Sequence, residues 1–132
     1  MIYFGSDRQK SEFNFLSFRL RAIFYMISAI ASEKFKCHVI VTDCLRSKHE
    51  DNELGGVGIH PTGRALDFNL CTETRVRLHD TQQTDALLEF VNTLIPYGSG
   101  RYKTLVYHNV KGLHFHLQVS WNKSTEILEV TC

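Results

Sequence analysis

The stretch from Gly58 to Phe68 reads GIHPTGRALDF and sets an imidazole, His60, seven positions before a carboxylate, Asp67. Residues 65 to 70 are mostly apolar, which is typical of a strand within a sheet. Asp67 lies inside that run, where a carboxylate needs a partner to offset the cost of burial. The stretch therefore predicts a strand that carries a polar site, and the rest of the fold is organised around it.

A second informative stretch lies near the C-terminus, where residues 113 to 119 read LHFHLQV. Side chains alternate between the two faces of a strand, so His114, His116 and Gln118 should share one face. The apolar residues between them should share the other face. Both histidines can therefore face the same site.

One aspartate and two or more histidines in a small domain suggest a metal site. His60, Asp67 and one late histidine supply three ligands and leave a fourth position open, as in a catalytic zinc site. Nitrogen and carboxylate ligands together favour zinc. Either His114 or His116 can be the third ligand, and the other histidine could then transfer protons or stabilise an oxyanion.

Residues 60 to 67, HPTGRALD, resemble the HxxGxAxD signature of the zinc D-alanyl-D-alanine carboxypeptidase and endolysin peptidase family, which is related to lysostaphin-type peptidases and hedgehog. Upstream, residues 42 to 47 (TDCLRS), followed by Asn52 and Gly56, resemble the family's TSGYRS…N…GG pattern. The resemblance spans about residues 38 to 120. It implies that zinc binds the motif histidine, the motif aspartate and the second histidine of HxH, which are His60, Asp67 and His116.

The chain departs from the family pattern at two positions. Gly58 stands where the family often has serine, two residues before the first ligand. Leu113 stands where the endolysin branch often has an acidic residue, three before the last ligand. We expect His114 to transfer protons in this chain. Arg46 is either a solvated loop charge or a cation that stabilises the oxyanion or holds a substrate carboxylate.

The resemblance implies a zinc metallopeptidase that hydrolyses an amide bond in peptidoglycan stem peptides, most closely an endolysin-type endopeptidase. One alternative is a D-alanyl-D-alanine carboxypeptidase. Another is a zinc-stabilised binding module without catalysis. In every case the cofactor expected is one zinc ion.

Composition restricts the partners and the compartment. The 132 residues suit one domain, and 15 Lys and Arg against 14 Asp and Glu give a net charge of +1. This balance favours neither nucleic acid nor a membrane as partner, and we expect a monomer. The N-terminus shows no secretory signal pattern, so we expect synthesis in the cytoplasm and action on the cell wall after release, or from a virion. We also expect four free thiols, at Cys37, Cys44, Cys71 and Cys132.

Apolar periodicity and turn residues predict the elements outside the site. In order, these are a long helix over 11–34, a strand over 37–42, a long polar loop over 43–58, a strand over 65–70, a helix over 81–95 and a hairpin with strands 103–108 and 113–121. The second helix should begin at Thr81 or Thr84 and stop before Pro96. We therefore expect a single α+β domain over residues 1–132, a mostly antiparallel central sheet with helices on one face, as in the hedgehog and D-Ala-D-Ala-peptidase group.

Overall fold

The computed structural model of the chain describes residues 1–45, 59–98, 102–109 and 112–120. They form three helices, six strands and one 3-10 turn. In chain order these are β1 (Ile2–Phe4), α1 (Asp7–Phe13), α2 (Phe18–Phe35), β2 (His38–Asp43), the 3-10 turn (His60–Thr62), β3 (Ala65–Cys71), β4 (Arg77–Leu78), α3 (Thr81–Leu94), β5 (Leu105–Asn109) and β6 (Leu113–Gln118).

The strands form one mixed sheet with the order β1-β2-β3-β6-β5, and β4 pairs with the end of β3. Strand β1 runs parallel to β2, and the other pairs are antiparallel. The predicted α+β class is therefore confirmed. Strand β3 has a neighbour on each side, so the sequence that carries Asp67 lies in the middle of the sheet.

The two faces of the sheet differ sharply in polarity. One face carries apolar side chains that pack with α2 and α3 in the main core: Val39, Val41, Leu66, Phe68, Leu70, Leu105, Phe115 and Leu117. Cross-strand partners point to the same face, so Asp67, its partner His116 and the His108–His114 pair share the opposite face. The predicted separation of histidines from apolar residues on β6 is confirmed.

The prediction of one long helix over 11–34 is wrong, because the chain bends between α1 and α2. Ser17 caps α2 by accepting a hydrogen bond from the Leu20 backbone N–H at 3.1 Å, and its own N–H bonds to the Gly63 carbonyl at 2.8 Å. Phe13, the last residue of α1, and Leu16, within the connection to α2, are both buried. The helical spacing of apolar residues continues through the bend, so the sequence pattern does not reveal it. The features that define the bend are the Ser17 cap and the contact with Gly63.

Three smaller differences concern element ends and short strands. Helix α3 is capped by Asp80, whose side chain accepts from the Gln83 N–H at 2.9 Å, so neither Thr81 nor Thr84 is the N-cap. The short strands β1 and β4 were not predicted, since three and two residues carry too little pattern. In the described part of the chain no single helix is long and apolar enough to cross a membrane; only α1 and α2 together reach that length, bent by 119°.

Candidate functional site

Three side chains from separate segments converge on the polar face of the sheet. They are His60 on the 3-10 turn, Asp67 on β3 and His116 on β6, and each offers a ligand atom within 4.8 Å of those of the other two. Asp67 Oδ1 lies 2.9 Å from His116 Nδ1 and 3.3 Å from His60 Nε2. The group can therefore hold a metal ion. These are the ligands that the family resemblance implies.

The turn that carries His60 depends on Gly63. Gly63 has φ +73°, a left-handed conformation that glycine adopts without strain. A Cβ at this position would lie 3.5 Å from the Phe15 carbonyl oxygen. The glycine thus lets the chain turn from His60 into β3 while it lies against the start of α2.

A backbone carbonyl fixes the tautomer of His60. Its Nδ1 lies 2.7 Å from the carbonyl oxygen of Cys44, and the ring is 1% exposed. A carbonyl oxygen only accepts, so Nδ1 carries the proton and, in the neutral ring, Nε2 carries the lone pair. The nitrogen that faces Asp67 is therefore the one able to bind a metal, an arrangement common in metal-binding histidines.

A side-chain amide fixes the tautomer of His116 in the opposite sense. Gln118 donates its Nε2 to the Lys103 carbonyl at 2.8 Å, which turns its Oε1 toward His116 Nε2 at 3.2 Å. His116 Nε2 must then donate, and the lone pair of the neutral ring lies on Nδ1. His60 would thus bind a metal through Nε2 and His116 through Nδ1.

The donor set fits a cation. With both tautomers fixed, two nitrogen lone pairs and a carboxylate oxygen face one another, and they repel unless positive charge lies between them. Without a metal, the positive charge between them is a proton on a ring nitrogen. Burial by itself raises the pKa of Asp67, but hydrogen bonds from His116 and His60 in their protonated form, and the charge of these rings, outweigh it, so this pKa lies well below its usual range. Asp67 is therefore ionised at neutral pH, as a metal ligand must be.

His114 flanks the metal-ligand group without belonging to it. Its Nδ1 lies 2.9 Å from the Gly112 carbonyl and so carries the proton, which leaves the lone pair of the neutral ring on Nε2. That Nε2 lies 3.6 Å from Asp67 Oδ2. A basic nitrogen thus lies beside the candidate ligands.

His108 is a neighbour of the site that the sequence did not identify. Its Nε2 lies 2.9 Å from His114 Nε2, and because that atom accepts, His108 donates. Burial lowers the pKa of His108, and the nearby His114 and His116 lower it further. The signal that could have identified His108 is the hairpin register, which pairs it with His114. Without that register, His108 cannot be distinguished from any other histidine on a strand.

Several predicted residues lie outside the described part of the chain, and others lie away from the ligand group. Arg46 lies outside the described residues, as do Ser47, Asn52, Gly56 and Gly58. The exposed Leu113 precedes the histidines on β6. Arg64, the motif arginine, donates through Nη1 to the Val119 carbonyl at 3.0 Å, near the other end of β6 from His114.

Three of the four cysteines are described and have free thiols: Cys37, Cys44 and Cys71. The prediction of free thiols is confirmed for these three, and Cys132 lies outside the described residues. Burial, with smaller contributions from Glu12 and nearby aspartates, raises the pKa of Cys44 to about 12. Cys44 therefore stays a thiol at neutral pH, and its carbonyl is the group that serves the site.

Comparison of the chain with protein-family models, with curated proteins and with solved structures finds no match. The site therefore has to be interpreted from its own geometry.

Proposed function

We propose that this protein is a zinc metallopeptidase that hydrolyses an amide bond in peptidoglycan stem peptides, most closely an endolysin-type endopeptidase. The observation that carries the proposal is the convergence of His60, Asp67 and His116 within 4.8 Å. Two imidazoles and one carboxylate are a donor set of catalytic zinc sites, which use three protein ligands. The HxxGxAxD signature suggests the substrate class. As part of the same proposal, we infer that the α+β fold is of the hedgehog and D-Ala-D-Ala-peptidase type.

Each residue would have a distinct task. His60 Nε2, Asp67 Oδ1 and His116 Nδ1 would hold the metal, which when bound supplies Lewis-acid activation of water and of the scissile carbonyl. His114 would take a proton on Nε2 during attack and pass it to the leaving amine, once His108 releases the hydrogen bond that it donates to this nitrogen. The hydrogen bond from His114 Nδ1–H to the Gly112 carbonyl fixes the orientation of the ring and therefore of Nε2. Arg46 keeps its proposed role as a cation for the oxyanion or for a substrate carboxylate.

Digestion of purified peptidoglycan tests the proposal directly. The zinc-loaded protein should release stem-peptide fragments, and a chelator should stop the release until zinc is restored. An endopeptidase that cuts the L-alanyl-D-glutamyl bond exposes new D-glutamate amino termini and releases little free D-alanine. Free D-alanine as the main product would instead assign the carboxypeptidase activity. Zinc binding without any product would assign a non-catalytic module.

A further inference from the structure

His108 and His114 form a histidine pair beside the candidate metal ligands. They are cross-strand partners on β5 and β6, and their Nε2 atoms lie 2.9 Å apart. Neither residue belongs to the group of His60, Asp67 and His116. The pair is open to solvent, since His108 is exposed and the His114 side chain is 16% exposed. Two imidazole nitrogens thus converge at a point that a dissolved ion can reach.

The second oxygen of Asp67 faces the same point. Asp67 Oδ1 contacts His60 and His116, whereas Oδ2 lies 3.6 Å from His114 Nε2. No hydrogen bond to Oδ2 occurs within the described part of the chain. The two oxygens of one carboxylate therefore face different neighbours, and Oδ2 keeps its lone pairs for a cation.

The spacing of the three atoms suits a metal ion. Zinc binds histidine nitrogen at about 2.0–2.1 Å in a tetrahedral arrangement, so two such ligand atoms lie about 3.3 Å apart. The separations of 2.9 Å between the two Nε2 atoms and 3.6 Å between His114 Nε2 and Asp67 Oδ2 lie on either side of this value. Two imidazoles and a carboxylate are also ligands that zinc accepts.

We propose that His108 Nε2, His114 Nε2 and Asp67 Oδ2 form a second zinc site, joined to the first by the Asp67 carboxylate. Without metal, His108 donates from Nε2, so its proton must move to Nδ1 when zinc binds. His108 Nδ1 makes no hydrogen bond among the described residues, so no protein contact there opposes the change. His114 already carries its proton on Nδ1, which bonds to the Gly112 carbonyl.

The second site should bind zinc more weakly than the first. Binding there breaks the hydrogen bond between the two histidines. The incoming ion also shares one carboxylate with another divalent ion and is repelled by it. Together these effects should make the affinity of the second site about 100-fold weaker.

Occupancy of the second site has a consequence for activity, which rests on the proposed peptidase function. An ion bound to His114 Nε2 takes up the lone pair that would accept a proton during attack. Zinc in excess should therefore inhibit hydrolysis, although the first equivalent supports it.

Calorimetric titration of the metal-free protein with zinc chloride tests the site without any substrate. The parent protein should bind two zinc ions per chain, the second about 100-fold more weakly. His108→Ala should keep the first binding event and lose the second. His79→Ala, whose ring contacts Tyr107 outside both ligand groups, is the matched control and should keep both. Saturation of the parent protein at one zinc per chain, or a second event that survives in His108→Ala, would overturn the proposal.

NMR of the imidazole nitrogens assigns each ion to its ligands in the same titration. The first equivalent of zinc should shift the signals of His60 Nε2 and His116 Nδ1. Further zinc should shift the signals of His108 Nε2 and His114 Nε2. Later shifts confined to other histidines would place the second ion elsewhere and overturn the proposal.

Peptidoglycan digestion at one equivalent of zinc and in excess zinc separates this inference from the proposed function. Excess zinc should slow the parent protein by about 100-fold or more, as for loss of a proton-transfer group, and should leave the rate of His108→Ala near its own value at one equivalent. Two bound zinc ions without any hydrolysis would support the second site and refute the peptidase. Hydrolysis by a protein that binds only one zinc ion would do the reverse.

Discussion

At the residue scale, hydrogen bonds decide what the candidate site can do. Cys44 and Gly112 offer carbonyls to His60 and His114. Gln118 accepts from His116. Each contact fixes which ring nitrogen carries the proton, so the nitrogens that carry the lone pair in the neutral rings of the two ligands and of His114 lie around Asp67. The residues alone left open whether His114 or His116 is the third ligand, and of the two it is His116 that belongs to the group whose ligand atoms lie within 4.8 Å of one another.

The first prediction concerns that distinction. His116→Ala should lose tightly bound zinc, because it removes one of three ligands. His114→Ala should keep zinc and lose peptide hydrolysis by roughly 10²- to 10⁴-fold, the usual effect of removing a proton-transfer group. Metal analysis and a peptidoglycan assay on both variants check this. Loss of zinc in His114→Ala alone would reverse the two assignments.

The second prediction concerns Gln118, which acts through His116. Gln118→Leu removes the acceptor that holds His116 Nε2–H, so zinc affinity should fall by about 10- to 100-fold, as for other residues that orient metal ligands. NMR of the imidazole nitrogens should show a mixture of His116 tautomers in the metal-free variant. Gln82→Leu, an exposed position on α3, is the control and should change neither. Unchanged affinity in Gln118→Leu would refute the orienting role.

At the element scale, the sequence predicted the strands and helices with strong periodicity and missed what depends on distant pairing. Strand β3 and helix α3 lie close to where their patterns predict them. The bend before α2 depends on the contact between Ser17 and Gly63, and β1 exists because it pairs with β2. These partners are far apart in sequence, so no local pattern reveals them.

The same reason explains how far the site could be predicted. His60, Asp67 and His116 lie in recognisable motifs, and the structure brings them together. His108 gains its significance only from the register that aligns β5 with β6 and β6 with β3. Register is set by pairing across the sheet, and single strands carry little information about it.

The third prediction concerns the end of α2. Lys36 caps this helix in the left-handed conformation, with φ 56°, where a side chain is strained. Lys36→Gly should therefore raise the free energy of unfolding by about 0.5–1 kcal/mol. Glu33→Gly, one turn earlier within α2, should lower it by about 1 kcal/mol. Denaturant unfolding of both variants measures this, and destabilisation by Lys36→Gly would show that the cap is not strained.

At the scale of the whole molecule, metal binding should be coupled to folding, because the candidate ligands come from three segments. A metal that binds only the folded chain adds about 2.7 kcal/mol at a concentration 100 times its dissociation constant. Zinc should therefore raise the melting temperature of the parent protein, and a chelator should reverse the rise. His79→Ala, whose ring contacts Tyr107 outside the ligand group, should keep the zinc effect, and His116→Ala should lose it. Equal zinc effects in both variants would place the metal elsewhere.

The strand order also has a consequence for biosynthesis. Strand β6 is made after β5, yet it inserts between β3 and β5 in the finished sheet. Until β6 leaves the ribosome, the edge of β3 that carries Asp67 has no partner along residues 65 to 68. An unpaired apolar edge of this kind is prone to aggregate. A nascent chain stopped before residue 113 should therefore need chaperone protection. The chain could bind a metal only after the hairpin is complete, because β6 carries His116.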